Sequence, residues 1–348
     1  MRGPDVNSGA SGHGLAGFGF RHQRHESPSV RGLDLYTRLV TQASYKHMVT
    51  EALKVFGLDE HALVRPLDGG TANVSFVVDG KERRIITFCV EPTLDRVERL
   101  AAVLEHLREH GFASNRLLRS PRGNLVHVID GVPTIVKSFL EGEVLCAVDE
   151  ARALGIGGVL ARLHKLPIPS GFAANHEMNR ETMASIGAAA KDLNFSGWLA
   201  TALEQIPPDW MDLPVGLVHG DLFPDNLIEV QGGTLVPIDF EEACLYPLVF
   251  DIGMALAGLA NVGCLSQATT AALLAGYSAD RKLNASECSA VPTMVEVAAM
   301  ATACWRFDLA QRDGPIPGEL RNWRDAQATH ALSLEWRRKG VWSALLDV

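Results

Sequence analysis

The hydrophobic pattern of this chain changes its period near residue 140, and that change limits the folds open to it. Before residue 140, short runs alternate apolar and polar residues between glycine-containing turns, as at residues 79–80 and 130–131. This alternation predicts antiparallel strands joined by hairpins. Residues 94–110 instead repeat apolar positions every three or four residues, which predicts one helix. Helical spacing predominates after residue 148, so the pattern predicts an α+β fold with a small antiparallel-sheet lobe and a larger helical lobe.

The predicted lobes divide the chain into three segments. Residues 1–33 contain glycine, serine, histidine and arginine with hardly any apolar periodicity, which predicts a disordered tail. Residues 34–140 form the predicted N-terminal lobe, and residues 141–348 form the predicted helical C-terminal lobe. Two short strands are expected within the latter, at residues 227–230 and 235–238. The expected helices span residues 35–56, 94–110, 151–166, 183–203, 250–260, 267–277, 292–313 and 327–346.

Charge, cysteine spacing and hydropathy argue against several classes of protein. The formal net charge of −9 argues against a nucleic-acid or anionic-membrane partner. No two of the six cysteines have Cys-x-x-Cys spacing, which predicts free thiols in a reducing compartment. No apolar run reaches the roughly 18–20 residues of a membrane span, and the N-terminal segment lacks the apolar core of a secretory signal. We therefore expect a cytoplasmic protein, with a cleaved organellar transit segment as the alternative.

Two neighbouring segments carry the acidic and amide side chains expected of a catalytic site. Residues 218–226 read Val-His-Gly-Asp-Leu-Phe-Pro-Asp-Asn, and residues 237–240 read Pro-Ile-Asp-Phe. Asp221 could accept the proton of an attacking hydroxyl, whereas Asn226 and Asp239 carry the oxygen ligands that Mg²⁺ prefers. Each of these side chains taken alone could instead cap a turn or a strand end. Together, at this spacing, they predict phosphoryl transfer assisted by magnesium.

Further residues are expected to bind phosphate or to support these loops. Adjacent glycines between two predicted strands let backbone N–H groups approach a phosphate closely, although such a turn is common between strands. His219 is predicted to hold the turn in which it lies, and Asp251 is predicted to cap a helix or brace the loop. The residues predicted to cover the phosphates are Gly69, Gly70, Thr71 and Asn73.

Four motifs resemble those of the aminoglycoside phosphotransferase and choline kinase superfamily. They are the nucleotide loop at residues 67–76, Leu-Ala-x-Leu-His at 160–164, the catalytic loop at 218–226 and Ile-Asp-Phe at 238–240. The resemblance implies a protein-kinase-like fold and ATP as the usual donor. It also implies a hinge beside adenine at residues 136–141, with Ser138 and Leu140 as nucleotide-binding residues. By the same likeness, Asp221 is the base and the Mg²⁺ ligands are Asn226 and Asp239.

Within the superfamily the chain is most similar to the homoserine kinase branch. The sequence of the catalytic loop is the one usual in that branch, and residues 85–91 resemble its Val-Leu-Thr-Leu-Phe-Glu strand. After the metal loop, Glu241 and Glu242 stand where the branch commonly has tyrosine and a variable residue. Two carboxylates there could bind the ammonium group of a different acceptor. Thr87 occupies the expected position of the strand lysine that pairs with ATP phosphates in protein kinases, and this lysine is also missing in the homoserine kinase branch.

The combined prediction is an ATP- and Mg²⁺-dependent kinase that phosphorylates a hydroxyl of a small amino alcohol or hydroxy amino acid. An aminoglycoside or amino-sugar antibiotic phosphotransferase is the alternative within the enzymes. A catalytically inactive, nucleotide-binding pseudokinase is the alternative of another class, supported by the absent strand lysine. The expected partner is a small hydroxyl acceptor that carries an amine, with neither nucleic acid nor membrane. The protein is expected to be a monomer or a homodimer.

Overall fold

The computed structural model describes residues 44–67, 73–169, 172, 176–207, 212–313 and 322–346 of the chain. Its N-terminal part contains an antiparallel sheet in the strand order β1-β2-β3-β5-β4. The predicted second hairpin turns at Asp130 and Gly131, whose positive φ angles of 48° and 83° suit a tight turn. The strands are β1 (Leu63–Leu67), β2 (Asn73–Asp79), β3 (Arg84–Cys89), β4 (Val126–Ile129) and β5 (Val132–Ser138).

The alternation of apolar residues gives this sheet two buried faces. Phe76 and Ile86 lie on one face and share a buried cluster with helix α1 (Ser44–Phe56). Ile135 has the opposite parity and belongs to the main core, to which helix α2 (Leu94–Glu109) contributes. The sheet is therefore covered by α1 on one side and joined to α2 and the helical part on the other. The part of the predicted first helix that precedes residue 44 lies outside the described residues.

Helices predominate from residue 150 onward, as predicted. Two of them, α3 and α7, approach each other closely because glycines line their contact. A Cβ atom at Gly157 would lie 2.0 Å from the carbonyl oxygen of Leu273. This close packing places His164, the C-cap of α3, beside Tyr277 of α7. The helices are α3 (Glu150–Leu163), α4 (Arg180–Ala189), α5 (Leu193–Glu204), α6 (Val249–Asn261), α7 (Gln267–Asp280), α8 (Ala285–Asp313), α9 (Trp323–Arg338) and α10 (Val341–Leu346).

The prediction of one helix over residues 183–203 is wrong. The structure has α4 and α5 there, separated by residues 190–192. The Asp192 carboxylate accepts hydrogen bonds from the N–H groups of Asn194 and Phe195 at 2.9 and 3.2 Å. This N-cap starts a new helix, because it satisfies donors that a continuous helix would have bonded to its own preceding turn.

Two other predicted helix boundaries also differ. The helix predicted over residues 327–346 begins earlier, at Trp323, and is divided at Gly340, whose φ is 69°. Glycine adopts this left-handed conformation without strain and therefore ends α9. The helix predicted to begin at Pro292 begins at Ala285 instead, and the proline lies inside it. Proline is common in the first helical turn, but this helix continues through Pro292.

Two small β-ladders lie within the helical part. The predicted strands are β8 (Leu227–Val230) and β9 (Thr234–Pro237), and they form a sheet with β6 (Gly142–Val144) in the order β6-β8-β9. In addition, β7 (Val215–Val218) pairs with β10 (Cys244–Pro247). The strands β6, β7 and β10 were not predicted, because no short turn joins any two of them, whereas Gly232 and Gly233 mark the turn between β8 and β9.

Helix α8 is longer and more apolar than the sequence analysis expected. By length and composition alone, its stretch from Ala285 to Gln311 could cross a membrane. However, 67% of the most apolar window is buried inside the protein, and α8 packs against α6 and α9. Its hydropathy is therefore that of a core helix. The six cysteines are all free thiols, as predicted.

Candidate active site

The two small β-ladders bring the predicted catalytic and metal loops to one place. The last residue of β7 lies opposite the first residue of β10. Similarly, the first residue of β8 lies opposite the last residue of β9. Residues 219–226 connect β7 to β8, and residues 238–243 connect β9 to β10. Because both loops join the same two ladders at their paired ends, they lie side by side.

Asp221 and Asn226 are in direct contact. A 3₁₀ turn at Pro224–Asn226 folds the carboxamide back along the loop. Asn226 Nδ2 donates to the carbonyl oxygen of Asp221 at 2.8 Å and to its Oδ2 at 3.1 Å. The amide nitrogen is thus used in positioning the carboxylate, and the amide oxygen is the atom suited to a metal ion.

Asp239 lies beside the same pair. The preceding residue, Ile238, donates its N–H to the carbonyl oxygen of Asn226 at 2.9 Å, and its own carbonyl oxygen accepts from His219 Nε2 at 2.9 Å. Asp239 is exposed and has a φ of 66°, a conformation that is uncommon outside glycine and persists where surrounding contacts impose it. The structure therefore brings together the three residues that the sequence singled out.

Asp251, in the first turn of α6, holds the backbone of the catalytic loop. Its buried carboxylate accepts hydrogen bonds from the N–H groups of His219 at 2.7 Å and Gly220 at 2.9 Å, and from His164 Nε2 at 3.1 Å. Burial alone would raise the pKa of this carboxyl, but its hydrogen bond with His164 and the nearby imidazoles hold the pKa below its ordinary value. These contacts support the predicted structural role.

His219 is buried, and both of its ring nitrogens are engaged. Nδ1 accepts from the N–H of Asp221 at 3.3 Å, while Nε2 donates to Ile238. Burial lowers the pKa of the imidazole, which favours its neutral form. A neutral histidine with no free nitrogen fits the prediction of a residue that holds the turn.

A buried polar chain extends from Asp251 through the helical part, and the sequence analysis did not predict it. His164 Nδ1 lies 2.9 Å from the hydroxyl of Tyr277, which accepts from Arg281 at 2.8 Å. Arg281 forms an ion pair with Glu287 at 2.7 Å. The motif at residues 160–164 marks His164, but Tyr277 lies 113 residues further along the chain, so no local pattern could reveal the contact.

Gly220 allows the two loops to touch. Its φ is 83°, and a Cβ atom at this position would lie 2.5 Å from the carbonyl oxygen of Glu242. Any other residue would be strained and would push the loops apart. The glycine of the His-Gly-Asp motif is therefore explained by the packing of the metal loop against the catalytic loop.

Glu241 and Glu242 connect the metal loop to the N-terminal part. Asn73 Nδ2, at the start of β2, donates to Glu241 Oε1 at 2.6 Å. Arg96 of α2 lies between two carboxylates, 3.4 Å from Glu242 and 3.0 Å from Glu177. Both glutamates that were predicted to bind an amine therefore already have polar partners in the N-terminal part of the protein.

The carboxyl groups of the site are crowded, and their charges oppose one another. Burial raises the pKa of Asp221 well above its ordinary value, and nearby carboxylates, chiefly Asp225 and Asp239, raise it further. Burial is also the main cause that raises the pKa of Glu241 and of Glu242 to about 7. A cation within this cluster would favour the carboxylate forms.

The predicted nucleotide residues that the structure describes lie next to these loops or at the end of β5. Ser138 is the last residue of β5, and its carbonyl oxygen accepts from Asn115 Nδ2 at 3.0 Å. Leu140 follows the strand and is half-buried. Asn73 contacts Glu241 as described. The remaining predicted residues, which lie outside the described part of the chain, are Gly69, Gly70 and Thr71.

Comparison with known proteins assigns this site to a family. The phosphotransferase enzyme family matches residues 63–286. A homoserine kinase of Methylobacillus flagellatus is 30% identical to the chain over 82% of the chain and 91% of its own length. The chain belongs to the phosphotransferase enzyme family. A homoserine kinase of Beijerinckia indica is also similar, with 27% identity over 76% of the chain and 87% of its own length.

Solved structures confirm the predicted kinase-like fold of this phosphotransferase. A microcompartment-associated aminopropanol kinase superposes with a TM-score of 0.63 at 18% identity, over 85% of this chain and 98% of its own. A spectinomycin phosphotransferase in complex with ADP and spectinomycin superposes with a TM-score of 0.61 at 16% identity, over 84% and 98%. Family membership confirms the predicted reaction class, an ATP-dependent transfer of phosphate to a small-molecule hydroxyl.

The donor set of the site fits Mg²⁺, the usual metal of such phosphotransferases. Asn226 and Asp239 offer amide and carboxylate oxygens, and the surrounding carboxyl groups favour a divalent cation. Among the described residues, no group of three or more His, Cys, Asp and Glu side chains could hold a metal by itself. Mg²⁺ usually takes one or two protein carboxylates and completes its shell with water and phosphate oxygens.

Proposed function

We propose that this phosphotransferase transfers the γ-phosphoryl group of ATP to the hydroxyl of a small hydroxy amino acid or amino alcohol, with homoserine as the first candidate. The contact of Asp221 with Asn226, beside Asp239, carries the proposal. The relatives named homoserine kinase support the acceptor class, because the similarity extends over 91% of the length of one of them.

Asp221 is proposed as the catalytic base. Its carboxylate accepts the proton of the acceptor hydroxyl as the new oxygen–phosphorus bond forms and ADP departs. The hydrogen bond from Asn226 fixes one carboxylate oxygen, and the turn behind it is held by Asp251. Such positioning is the main contribution that a protein makes to phosphoryl transfer.

Asn226 and Asp239 are proposed to hold Mg²⁺. When bound, the ion offsets the negative charge that develops on the phosphate oxygens. His219 and Asp251 have structural roles in this proposal, since their hydrogen bonds fix the backbone on either side of the base. The nucleotide is proposed to contact Ser138 and Leu140 beside adenine, and Gly69, Gly70, Thr71 and Asn73 along the phosphates.

The acceptor is proposed to carry an ammonium group that the acidic residues after the metal loop recognise. Glu242 and Glu177 form a pair of carboxylates that both contact Arg96, at 3.4 and 3.0 Å. Because two carboxylates share one guanidinium, the group keeps a net negative charge that an ammonium group would offset. Glu241 instead accepts a hydrogen bond from the neutral amide of Asn73.

An amino-sugar acceptor is the second candidate. The spectinomycin phosphotransferase shares the fold of this chain, and an acidic site also fits a polycationic antibiotic. A nucleotide-binding protein without turnover is the alternative of another class. We propose a cytoplasmic location and either a monomer or a homodimer for the active protein.

ADP release in the presence of Mg²⁺ tests the proposal across a panel of acceptors. The panel contains homoserine, ethanolamine, choline, hydroxylysine, amino sugars and aminoglycosides. With the preferred acceptor, Asp221→Asn should lower kcat by about 10²–10⁴-fold, the usual contribution of a positioned base. Glu60→Gln, which removes an exposed carboxyl between α1 and β1, should leave kcat unchanged. Equal turnover by wild type and Asp221→Asn would refute the base, and no turnover with any acceptor would favour the inactive alternative.

A further inference from the structure

Lys137 lies near the end of β5, on the face of the sheet opposite α1. In the pairing of β3 with β5, Lys137 is opposite Ile85, and Ile135 is opposite Thr87. Val136, which has the other parity, belongs to the cluster that contains α1. Because side chains alternate along a strand, Lys137 shares a face with Ile135 and Thr87 and lies two residue pairs along the ladder from Thr87.

The backbone around Lys137 directs its side chain away from the plane of the sheet. On one side the residue pairs with Ile85, and on the other it forms an isolated bridge with Leu117. With both edges of the strand paired, the side chain extends roughly perpendicular to the sheet. The residue is half-buried, so neighbouring residues cover part of it.

Thr87 cannot supply the positive charge expected on β3. It is buried, and its hydroxyl lies 3.1 Å from the hydroxyl of Ser75 on β2. A hydroxyl group used in such a cross-strand contact offers no charge to a polyphosphate. Since the loops below the sheet are strongly acidic, a bound polyphosphate needs a cation from another position.

Two arginines near this region are already paired. Arg83 lies 3.6 Å from Asp79 and 3.3 Å from Glu141, and Arg96 is held by its two glutamates. Among the residues that the structure describes, Lys137 forms neither an ion pair nor a side-chain hydrogen bond. Its ammonium group therefore remains available for a ligand.

The metal loop meets the N-terminal part on this same face of the sheet. Glu241 accepts from Asn73 Nδ2 at 2.6 Å, and Asn73 pairs with Cys89 of β3. Cys89 belongs to the main core, as Ile135 does. A polyphosphate between the sheet and the metal loop would therefore lie on the face that carries Lys137.

We propose that Lys137 binds the polyphosphate of the nucleotide, in place of the lysine that is absent from β3. The inference rests on the proposed kinase function, because it requires a nucleotide between the sheet and the metal loop. It moves the phosphate-binding charge from β3 to the neighbouring strand β5, on the same face. It also removes the main argument for an inactive protein, since the neighbouring strand supplies the missing charge.

Calorimetric titration of Lys137→Met with β,γ-imido-ATP and with adenosine, both in the presence of Mg²⁺, tests this inference. The variant should bind β,γ-imido-ATP about 10- to 100-fold more weakly than wild type, the range expected for a lost hydrogen bond to a charged group. Adenosine has no phosphate, so its affinity should change less than about twofold. Lys137→Arg, which keeps the charge, should retain most of the β,γ-imido-ATP affinity. Lys81→Met, in the exposed turn between β2 and β3, is the matched control and should bind both ligands as wild type does.

Three outcomes would overturn the inference. Unchanged affinity of Lys137→Met for β,γ-imido-ATP would show that the lysine does not touch phosphate. Equal losses for β,γ-imido-ATP and adenosine would show a structural role at the hinge, which thermal unfolding would reveal as a lower Tm. A wild-type protein that binds neither ligand would refute the inference together with the nucleotide site. In contrast, Lys137→Met could lose affinity for β,γ-imido-ATP and not for adenosine while the wild type phosphorylated no acceptor. The inference would then stand and the proposed function would fail.

Discussion

Three carboxyl groups of this site lie in surroundings that favour their neutral forms. Burial is the main cause for Asp221, Glu241 and Glu242, and mutual repulsion adds to it. Such repulsion between carboxylates is expected in a site that binds cations, because a bound cation reduces it. The crowding is therefore consistent with a site for Mg²⁺ and a cationic acceptor.

The raised pKa values predict how stability depends on pH. The ordinary pKa of a glutamate is 4.5, and the pKa of both Glu241 and Glu242 is raised to about 7 in the folded protein. A group with a raised pKa stabilises the fold at low pH, and this contribution is lost as pH rises through the folded value. Without ligands, the wild type should therefore lose stability between about pH 5 and pH 8 relative to the double variant Glu241→Gln/Glu242→Gln.

Urea unfolding at several pH values, without Mg²⁺ or nucleotide, measures this difference. Glu60→Gln is the control, since it removes an exposed carboxyl outside the site. Its profile should run parallel to that of the wild type. If the stability profile of the double variant also ran parallel to that of the wild type, the pKa values of the two glutamates would not be raised in the folded protein.

At the scale of elements, the crossing of α3 and α7 positions the buried residues that hold the catalytic loop. The helices meet at glycines, and this contact brings His164 of α3 to Tyr277 of α7 and to Asp251 of α6. A larger residue at the crossing would separate the helices and disturb these hydrogen bonds. The helix packing thus determines the geometry of a loop that lies outside it.

Two glycine-to-alanine variants in helices should have opposite effects on stability. Gly157→Ala introduces a Cβ atom 2.0 Å from the backbone of α7, so it should destabilise the fold by about 1–3 kcal/mol. Gly197→Ala on α5 meets no atom within 4 Å, so its better helix propensity should stabilise the fold by about 0.5–1 kcal/mol. Urea denaturation measures both changes. A neutral or stabilising Gly157→Ala would mean that the helices are not in close contact there.

The β-ladders show how far elements could be predicted. The Gly-Gly turn at 232–233 and its flanking apolar runs predicted β8 and β9, which the structure confirms. The pairing of β7 with β10 joins segments that are more than twenty residues apart, through backbone hydrogen bonds that leave no mark on side-chain type. Local patterns could therefore identify strands that a glycine turn joins into a hairpin, but not β7 and β10, whose partners are distant along the chain.

At the scale of the whole molecule, the N-terminal sheet and helical part are connected across the candidate site. Asn73 of β2 contacts Glu241, and Arg96 of α2 contacts Glu242. A nucleotide and metal bound between them would add further contacts to both sides. Ligand binding should therefore stabilise the entire fold rather than one part, as linkage requires for a ligand that binds only the folded state.

Thermal unfolding with Mg²⁺ and β,γ-imido-ATP tests this coupling and the metal ligand together. At a ligand concentration 100-fold above Kd, the stabilisation should be about 2.7 kcal/mol, seen as a higher Tm. Chelation of Mg²⁺ with EDTA should remove most of that increase, because the phosphates then lie among uncompensated carboxylates. Asp239→Asn should show a reduced increase even with Mg²⁺ present. An identical increase in wild type and Asp239→Asn would argue against Asp239 as a metal ligand.

The sequence by itself determined the class of fold and the chemistry of the central site. Period-two and helical patterns extend over many residues and survive in any packing, and the spacing of Asp221, Asn226 and Asp239 belongs to two short loops. Only the tertiary structure decided that Glu241 meets Asn73, that His164 contacts Tyr277, and that Lys137 lies on the same face of the sheet as Thr87. These relations depend on strand register and helix packing between distant segments, and such long-range contacts are not encoded in the local order of residues.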